Sequence, residues 1–488
     1  MNALLLRTAS TLGRTVSSAA LAAAIVVGSS ATATAAVQVD KLAVKAGKVI
    51  TLNGETIEDG VVVIEGGRIT AVGKANEVQV PWDARVIDQP SLVAFPGFVE
   101  AHSSNGMDRP NESIDVAPFL NVRDSVDPVN FYFEECLRNG ILTINVQQGN
   151  QTVIAGQGMV VRPFGMTVEE MLVKPNSGLK MSADPKSGKS RATQAQALRG
   201  AFSGLRAYLE EMVQRKKDGN DFDRRQALYQ GRTLEGDAAK GKAMQGEGWK
   251  VAGFELVPRG EVDEKQEPLL RVVEGRLPVW FACDSPAEVH TALAIAKENG
   301  FLKTTTLVLG NSCWKAAAAI KEAGVAVVLE PNLTHMERDP VTNDEIETFV
   351  PKVYADHGIT FALSSTGDSN RSLWYQAAQC VAHGMSRDAA LATVTTTAAN
   401  MLGLGERVGK LSAGMDGNLV LMSGDPLGMT TRVEHVIMRG EHVYDRSKDV
   451  RAKFLLEGVQ PSGTAADDVE SIDIHAEEAK AGQKEGGK

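Results

Sequence analysis

Between Leu42 and Val86, short apolar runs alternate with turn-forming residues. Val61-Val62-Val63-Ile64 is cut by Glu65-Gly66-Gly67-Arg68, and the pattern resumes at Ile69-Thr70-Ala71-Val72. Two short apolar runs around a tight turn predict a β-hairpin, and the block reads as a small β-domain. Asn418-Leu419-Val420-Leu421-Met422, Val433 to Met438 and His442-Val443-Tyr444 have the same character. These blocks flank a long middle region, so residues 37–95 and 405–457 are expected to meet in one discontinuous β-sandwich.

The middle region has a different rhythm. Ile141 to Val146, Leu277 to Cys283, Thr305 to Gly310, Ala326 to Glu330 and Ile359 to Ser364 are strand-like. Ala287 to Glu298 and Trp314 to Ala323 show helical spacing between them. Repeated strand–helix units predict an α/β fold, a TIM-type (β/α)8 barrel over residues 96–404. No Gly-x-Gly-x-x-Gly opens the first unit, which removes the nucleotide-binding signature of an open sheet. Residues 180–259 are more charged, and Leu198, Phe202, Leu205, Leu209 and Met212 recur at helical spacing within them. A lid-like helical insertion is the expectation there, with an ordinary barrel helix and long loop as the alternative.

The ends carry other information. Arg7 and Arg14 precede an apolar run from Ala19 to Val27 and a string of small residues, Ala31 to Ala36. Residues 1–36 therefore read as a Sec-type signal peptide, and the protein is expected to be periplasmic or extracellular. The run is too short to span a bilayer comfortably, so no stable membrane span is expected. Residues 458–488 are polar with almost no large apolar side chains, and a disordered tail is expected. The formal charge of −10, with no Lys/Arg-rich run, argues against nucleic-acid binding. Four cysteines do not make a disulfide scaffold in a chain of 488 residues. Cys283 and Cys313 both lie near predicted strand ends, and their pairing is open on sequence alone.

Candidate chemistry begins at Val93-Ala94-Phe95-Pro96-Gly97-Phe98-Val99-Glu100-Ala101-His102-Ser103-Ser104. A strand repeats every two residues, so side chains 102 and 104 project the same way. This stretch resembles the first metal-binding element of the amidohydrolase superfamily, which ends in His-x-His. Ala389 to Thr395, Asn400 to Leu404 and Val408 to Val420 extend the resemblance, in particular to the imidazolonepropionase-like branch. The resemblance implies metal-assisted hydrolysis of a non-peptide C–N bond at the C-terminal mouth of a barrel, with a strand-end Asp moving the proton.

Against that pattern, His102 is present, but Ser104, Ala282 and Leu309 stand where histidines are implied. Lys180-Met181-Ser182-Ala183-Asp184 lacks the Glu that often follows a Lys-Met pair, and Asp184 is a loose substitute. Asp368 is the candidate for the last metal ligand or catalytic base. His102 and Asp368 alone fall short of the three or four protein ligands that hold catalytic zinc. The expectation is weak or lost catalysis, a pseudoenzyme that binds a small polar ligand or a protein partner. The alternative is an active hydrolase with a single zinc-type divalent ion rebuilt around His102 and Asp368. Gln147, Gln148 and Asn150 after the second strand, and His335 in a presumed mouth loop, are the candidate ligand-binding residues. Cys283 and Asp284 beside His102 form a second possible metal set, although Asp284 before Ser285-Pro286 also suits a helix N-cap.

Overall fold

A computed structural model describes residues 40–218, 242–243, 250–251, 257, 259–365 and 372–457. Residues 1–36, read above as a signal peptide, residues 458–488 and Asp368 lie outside the described residues.

The chain enters through β1 (Lys41–Ile50), β2 (Thr56–Glu65), β3 (Arg68–Lys74) and β4 (Arg85–Phe95). Val61, Val62, Val63 and Ile64 are all buried because their sheet is covered on both faces. The sharp turn into the barrel is made at Gly97, whose φ is +81°. A Cβ there would sit 2.5 Å from the Leu142 side chain, so the backbone conformation and the close approach both require glycine.

The barrel follows as β5 (Phe98–Ser103), β6 (Ile141–Val146), β7 (Ile154–Val161) and β8 (Leu172–Ser182). A small pair, β9 (Lys242–Ala243) and β10 (Lys250–Val251), precedes β11 (Val279–Cys283), β12 (Thr305–Leu309) and β13 (Ala326–Leu329). A hairpin of β14 (Thr334–Arg338) and β15 (Glu345–Phe349) then leads to β16 (Phe361–Leu363). The eight-stranded sheet has the order β16-β13-β12-β11-β8-β7-β6-β5, a nearly closed barrel that agrees with the expected fold class.

One strand departs from the expected parallel pattern: β7 runs antiparallel to both β6 and β8. A parallel crossover needs roughly a dozen or more residues, usually including a helix. The segment from Gln147 to Val153 is too short for one, so the chain folds straight back. Gly156-Gln157-Gly158 lie inside this strand.

The helix Arg191–Asp218 corrects a second expectation. Lys180, Met181 and Ser182 belong to barrel strand β8, paired with β11, and not to an insertion. Leu198, Phe202, Leu205, Leu209 and Val213 are buried in the main core, and Phe202 stacks on Phe301 at 5.2 Å. This is an ordinary barrel helix rather than a lid. Truncating Phe202 to alanine would cost about 3–5 kcal/mol by the usual cavity rule.

The chain closes through β17 (Leu419–Met422), β18 (Val433–Met438) and β19 (Glu441–Asp445). Together with the N-terminal strands they form one continuous seven-stranded sheet, β19-β18-β17-β4-β1-β2-β3. The joint between the two chain ends is the antiparallel pairing of β17 with β4. Among the described residues, no helix is long and apolar enough to cross a membrane.

Candidate functional site

Period-two alternation puts Glu100 and His102 on one face of β5, and Lys180 and Ser182 on one face of β8. His102 and Lys180 meet: Lys180 Nζ lies 2.8 Å from His102 Nε2, and both side chains are fully buried. Burial pulls the Lys180 amine down to about 7, with Glu330 and Cys283 working in the opposite direction. Burial, and after it the Lys180 charge, push His102 well below the usual imidazole range. A neutral imidazole whose Nε2 lone pair accepts from the lysine satisfies both groups.

Glu100 is the second buried charge. Its carboxylate accepts from the Ser365 backbone N–H at 3.1 and 3.0 Å and from the Ser365 hydroxyl. The His102 backbone N–H adds a longer contact of 3.4 Å. Burial raises its pKa to about 7, against the lowering effect of the Ser365 donors.

Polar side chains continue along the neighbouring strands. Asn145 Nδ2 donates to the Ala101 carbonyl, and Asn145 Oδ1 accepts from Ser177 at 2.6 Å and Gln147 at 3.3 Å. Gln147 Nε2 also reaches Ser177 Oγ at 3.0 Å, while Gln147 Oε1 is a buried acceptor with no hydrogen-bond partner. Gly158 lets this amide lie flat on β7, since a Cβ there would sit 2.2 Å from Gln147 Nε2. Gln148 accepts from the Gly156 N–H at 2.6 Å. Asn150 donates to Glu330 at 2.7 Å, and its own Oδ1 is buried without a partner.

The structure therefore gathers the predicted amides with residues that sequence reasoning passed over, Lys180, Glu100 and Glu330. His335 is placed differently. It lies on β14, in a hairpin rather than a loop, with Nδ1 3.4 Å from Asn311 Oδ1 and its ring tilted against Trp314. Asp184 is half-buried, and burial together with Glu288, Asp284 and Glu330 raises its carboxyl to about 6.

Neither histidine position implied on the middle strands offers a ligand. Ala282 packs in an apolar cluster with Trp280, Val308, Val328 and Ala362, and Leu309 joins the main core. Ser104 is half-buried. Among the described residues, no three His, Cys, Asp or Glu side chains at the barrel mouth bring ligand atoms together around one point. The Cys283, Asp284 and His102 set is likewise not assembled, and Asp284 is not the N-cap either. Ser285 is the N-cap residue of the helix Pro286–Glu298, and its backbone N–H donates to Glu288 Oε2 at 3.1 Å. Cys283 and Cys313 are free thiols; Cys313 Sγ donates to the Cys283 carbonyl at 3.3 Å instead of forming a disulfide. Burial raises both thiols, so neither is an activated nucleophile.

No protein-family model matches the chain. A curated relative, the amidohydrolase tasK of Hapsidospora irregularis, is 25% identical over 426 residues, which cover 79% of this chain. The chain spans only 40% of that relative's length. Among solved structures, an amidohydrolase from Thermotoga maritima MSB8 superposes with a TM-score of 0.67 at 23% identity, covering 83% of this chain and 100% of the other. That likeness establishes the shared fold.

Proposed function

We propose that this chain is an amidohydrolase-superfamily barrel in which metal-assisted C–N hydrolysis is weak or lost and whose mouth holds a small polar ligand. The observation that carries this reading is the buried contact between Lys180 Nζ and His102 Nε2. The Lys180 amine occupies the Nε2 lone pair that a cation would need, so an ion could bind there only by displacing this contact. Fold membership does not carry activity with it, so the chemistry of these side chains decides the reading. Gln147 Oε1 and Asn150 Oδ1, buried acceptors without partners, supply the hydrogen-bonding capacity that a ligand with N–H or O–H donors needs.

The test is metal content and turnover together, in the full chain and in His102→Ala. To exclude zinc bound elsewhere, both proteins carry His442→Ala. The reading expects no zinc, manganese or nickel that depends on His102 and no hydrolysis of an amide and cyclic-imide panel. Stoichiometric metal that disappears with His102, accompanied by turnover, would instead establish an active hydrolase built on His102 and Asp368. Thermal-shift screening of small polar compounds against wild type and Asn150→Ala tests the ligand half. The proposal places the protein outside the cytoplasm, on the strength of the signal-like residues 1–36, and cell fractionation tests that placement.

A further inference from the structure

We propose that the hairpin β18–β19 carries a binding site for a zinc-type divalent cation, formed by His435, His442 and Asp445. The site is remote in sequence from the barrel residues and does not depend on the reading given to them.

The local backbone makes the cluster. His435 pairs across the hairpin with Asp445, and Ile437 pairs with His442. His435 and Ile437 share a face of β18, so both cross-strand partners lie on that face. In a regular strand His442 and Asp445, three residues apart, would point to opposite faces. A register shift between Val436 and Ile437 supplies the extra residue on β19 and restores them to one side. Re-aiming a side chain is a common use of such a bulge.

The distances match the geometry of a small tetrahedral ion. His442 Nε2 lies 3.2 Å from His435 Nδ1, and His435 Nδ1 lies 3.7 Å from Asp445 Oδ1. All three ligand atoms fall within 4.8 Å of one another. Ligands about 2.0–2.1 Å from a tetrahedral zinc are roughly 3.3 Å apart. Two imidazoles and one carboxylate suit zinc, nickel, cobalt or copper and disfavour calcium and magnesium, which take oxygen ligands.

The surroundings hold the ligands in place. Gln89 Nε2 lies 3.3 Å from His435 Nε2; a flip of this amide would let its oxygen accept the Nε2 proton and leave Nδ1 as the lone-pair donor. Asp445 Oδ1 accepts from the Ser447 N–H at 3.0 Å and the Ser447 hydroxyl at 2.7 Å, which fixes the carboxylate. Lys448 Nζ lies 3.3 Å from Asp445 Oδ2, but its side chain is 80% exposed and free to swing away. His442 and Asp445 also line a cleft of about 830 Å³, so an ion has a path in and a position left for water. A cation here would clip the edge strand β19 to β18.

Zinc titration of the chelator-stripped full chain by calorimetry tests the proposal, with Mg²⁺ and Ca²⁺ in excess. The expected result is one zinc that survives His102→Ala, with affinity falling at least ~10-fold in His442→Gln and Asp445→Asn. Cobalt serves as an independent readout: its visible absorption should appear with wild type and vanish in both variants, while circular dichroism confirms that they are folded. Zinc affinity unchanged in both folded variants would overturn the proposal, as would displacement of zinc by Mg²⁺ or Ca²⁺. Because the barrel test uses a His442→Ala background and this one a His102→Ala background, failure of one leaves the other standing.

Discussion

The barrel mouth and the β18–β19 hairpin each present an imidazole nitrogen to a partner, and the partners have opposite chemistry. At the mouth, His102 Nε2 meets the Lys180 amine at 2.8 Å. On the hairpin, His435 Nδ1 meets a second imidazole and a carboxylate at 3.2 and 3.7 Å. The charged lysine can only donate, whereas the imidazole and carboxylate on the hairpin can each offer a lone pair to an ion once the proton shared by the two rings is released. The capacity to hold a cation is therefore set by what faces the histidine, and the inherited position of that histidine in the fold does not settle it.

The largest effect that would sharpen this contrast is on pH-dependent stability. The folded-state pKa of Lys180 is lowered to about 7, below about 10.4 in an unfolded chain. Between those values the unfolded chain binds more protons, so this residue makes stability rise with pH across that window. Lys180→Met should remove that rise, worth roughly 5 kcal/mol at most. Urea midpoints measured from pH 7 to pH 10 check it; an unchanged slope would mean that the lysine is not buried as described.

Glu100 has the opposite sign. Its folded-state pKa is raised to about 7, above about 4.3 when unfolded. The native state binds more protons in between, so its contribution makes stability fall as pH rises through that window. Glu100→Gln should flatten the fall, by about 3 kcal/mol. The same midpoints, taken from pH 4 to pH 7, measure this. Together the two residues contribute a stability dip near neutrality.

Inserting one alanine between Val436 and Ile437 tests the hairpin side. With Val443 given a cross-strand partner the bulge is lost, His442 and Asp445 fall on opposite faces, and the rise in melting temperature on adding zinc should disappear while the protein remains folded. Retention of the zinc response would break the comparison. The smallest change is expected for Asn150→Ala, which removes the 2.7 Å bond to Glu330. A loss of about 1–2 kcal/mol is expected by chemical denaturation.

Much of this was legible in the chain. The hairpins, the alternating strands and helices and the family's motif around His102 led to the right fold class, because periodicity and turn residues are local signals. The reversal at β7 was not, since it depends on how little chain joins it to β6. Lys180 was passed over for a related reason. It was examined for the Glu missing after Lys180-Met181, whereas its role depends on the phase of β8 relative to β5 across the barrel. The hairpin cluster was hidden by the bulge: counted as a regular strand, His442 and Asp445 diverge, and only the observed register brings them together. Gln147, Gln148 and Asn150 stand out in the sequence because neutral amides cluster there at a strand end, and the structure buries Gln147 and Gln148.

A fully closed barrel has no edges, and this one keeps a seam. The strand ladder runs from β5 around to β16 without a rung joining those two among the described residues. The Glu100 carboxylate spans that seam to the Ser365 amide. A side chain therefore does the work of a missing backbone rung, and it does so with a group that gains and loses its proton near neutrality. The wall of the barrel is fastened there by a latch sensitive to the acidity of its surroundings, on the strand that also carries His102.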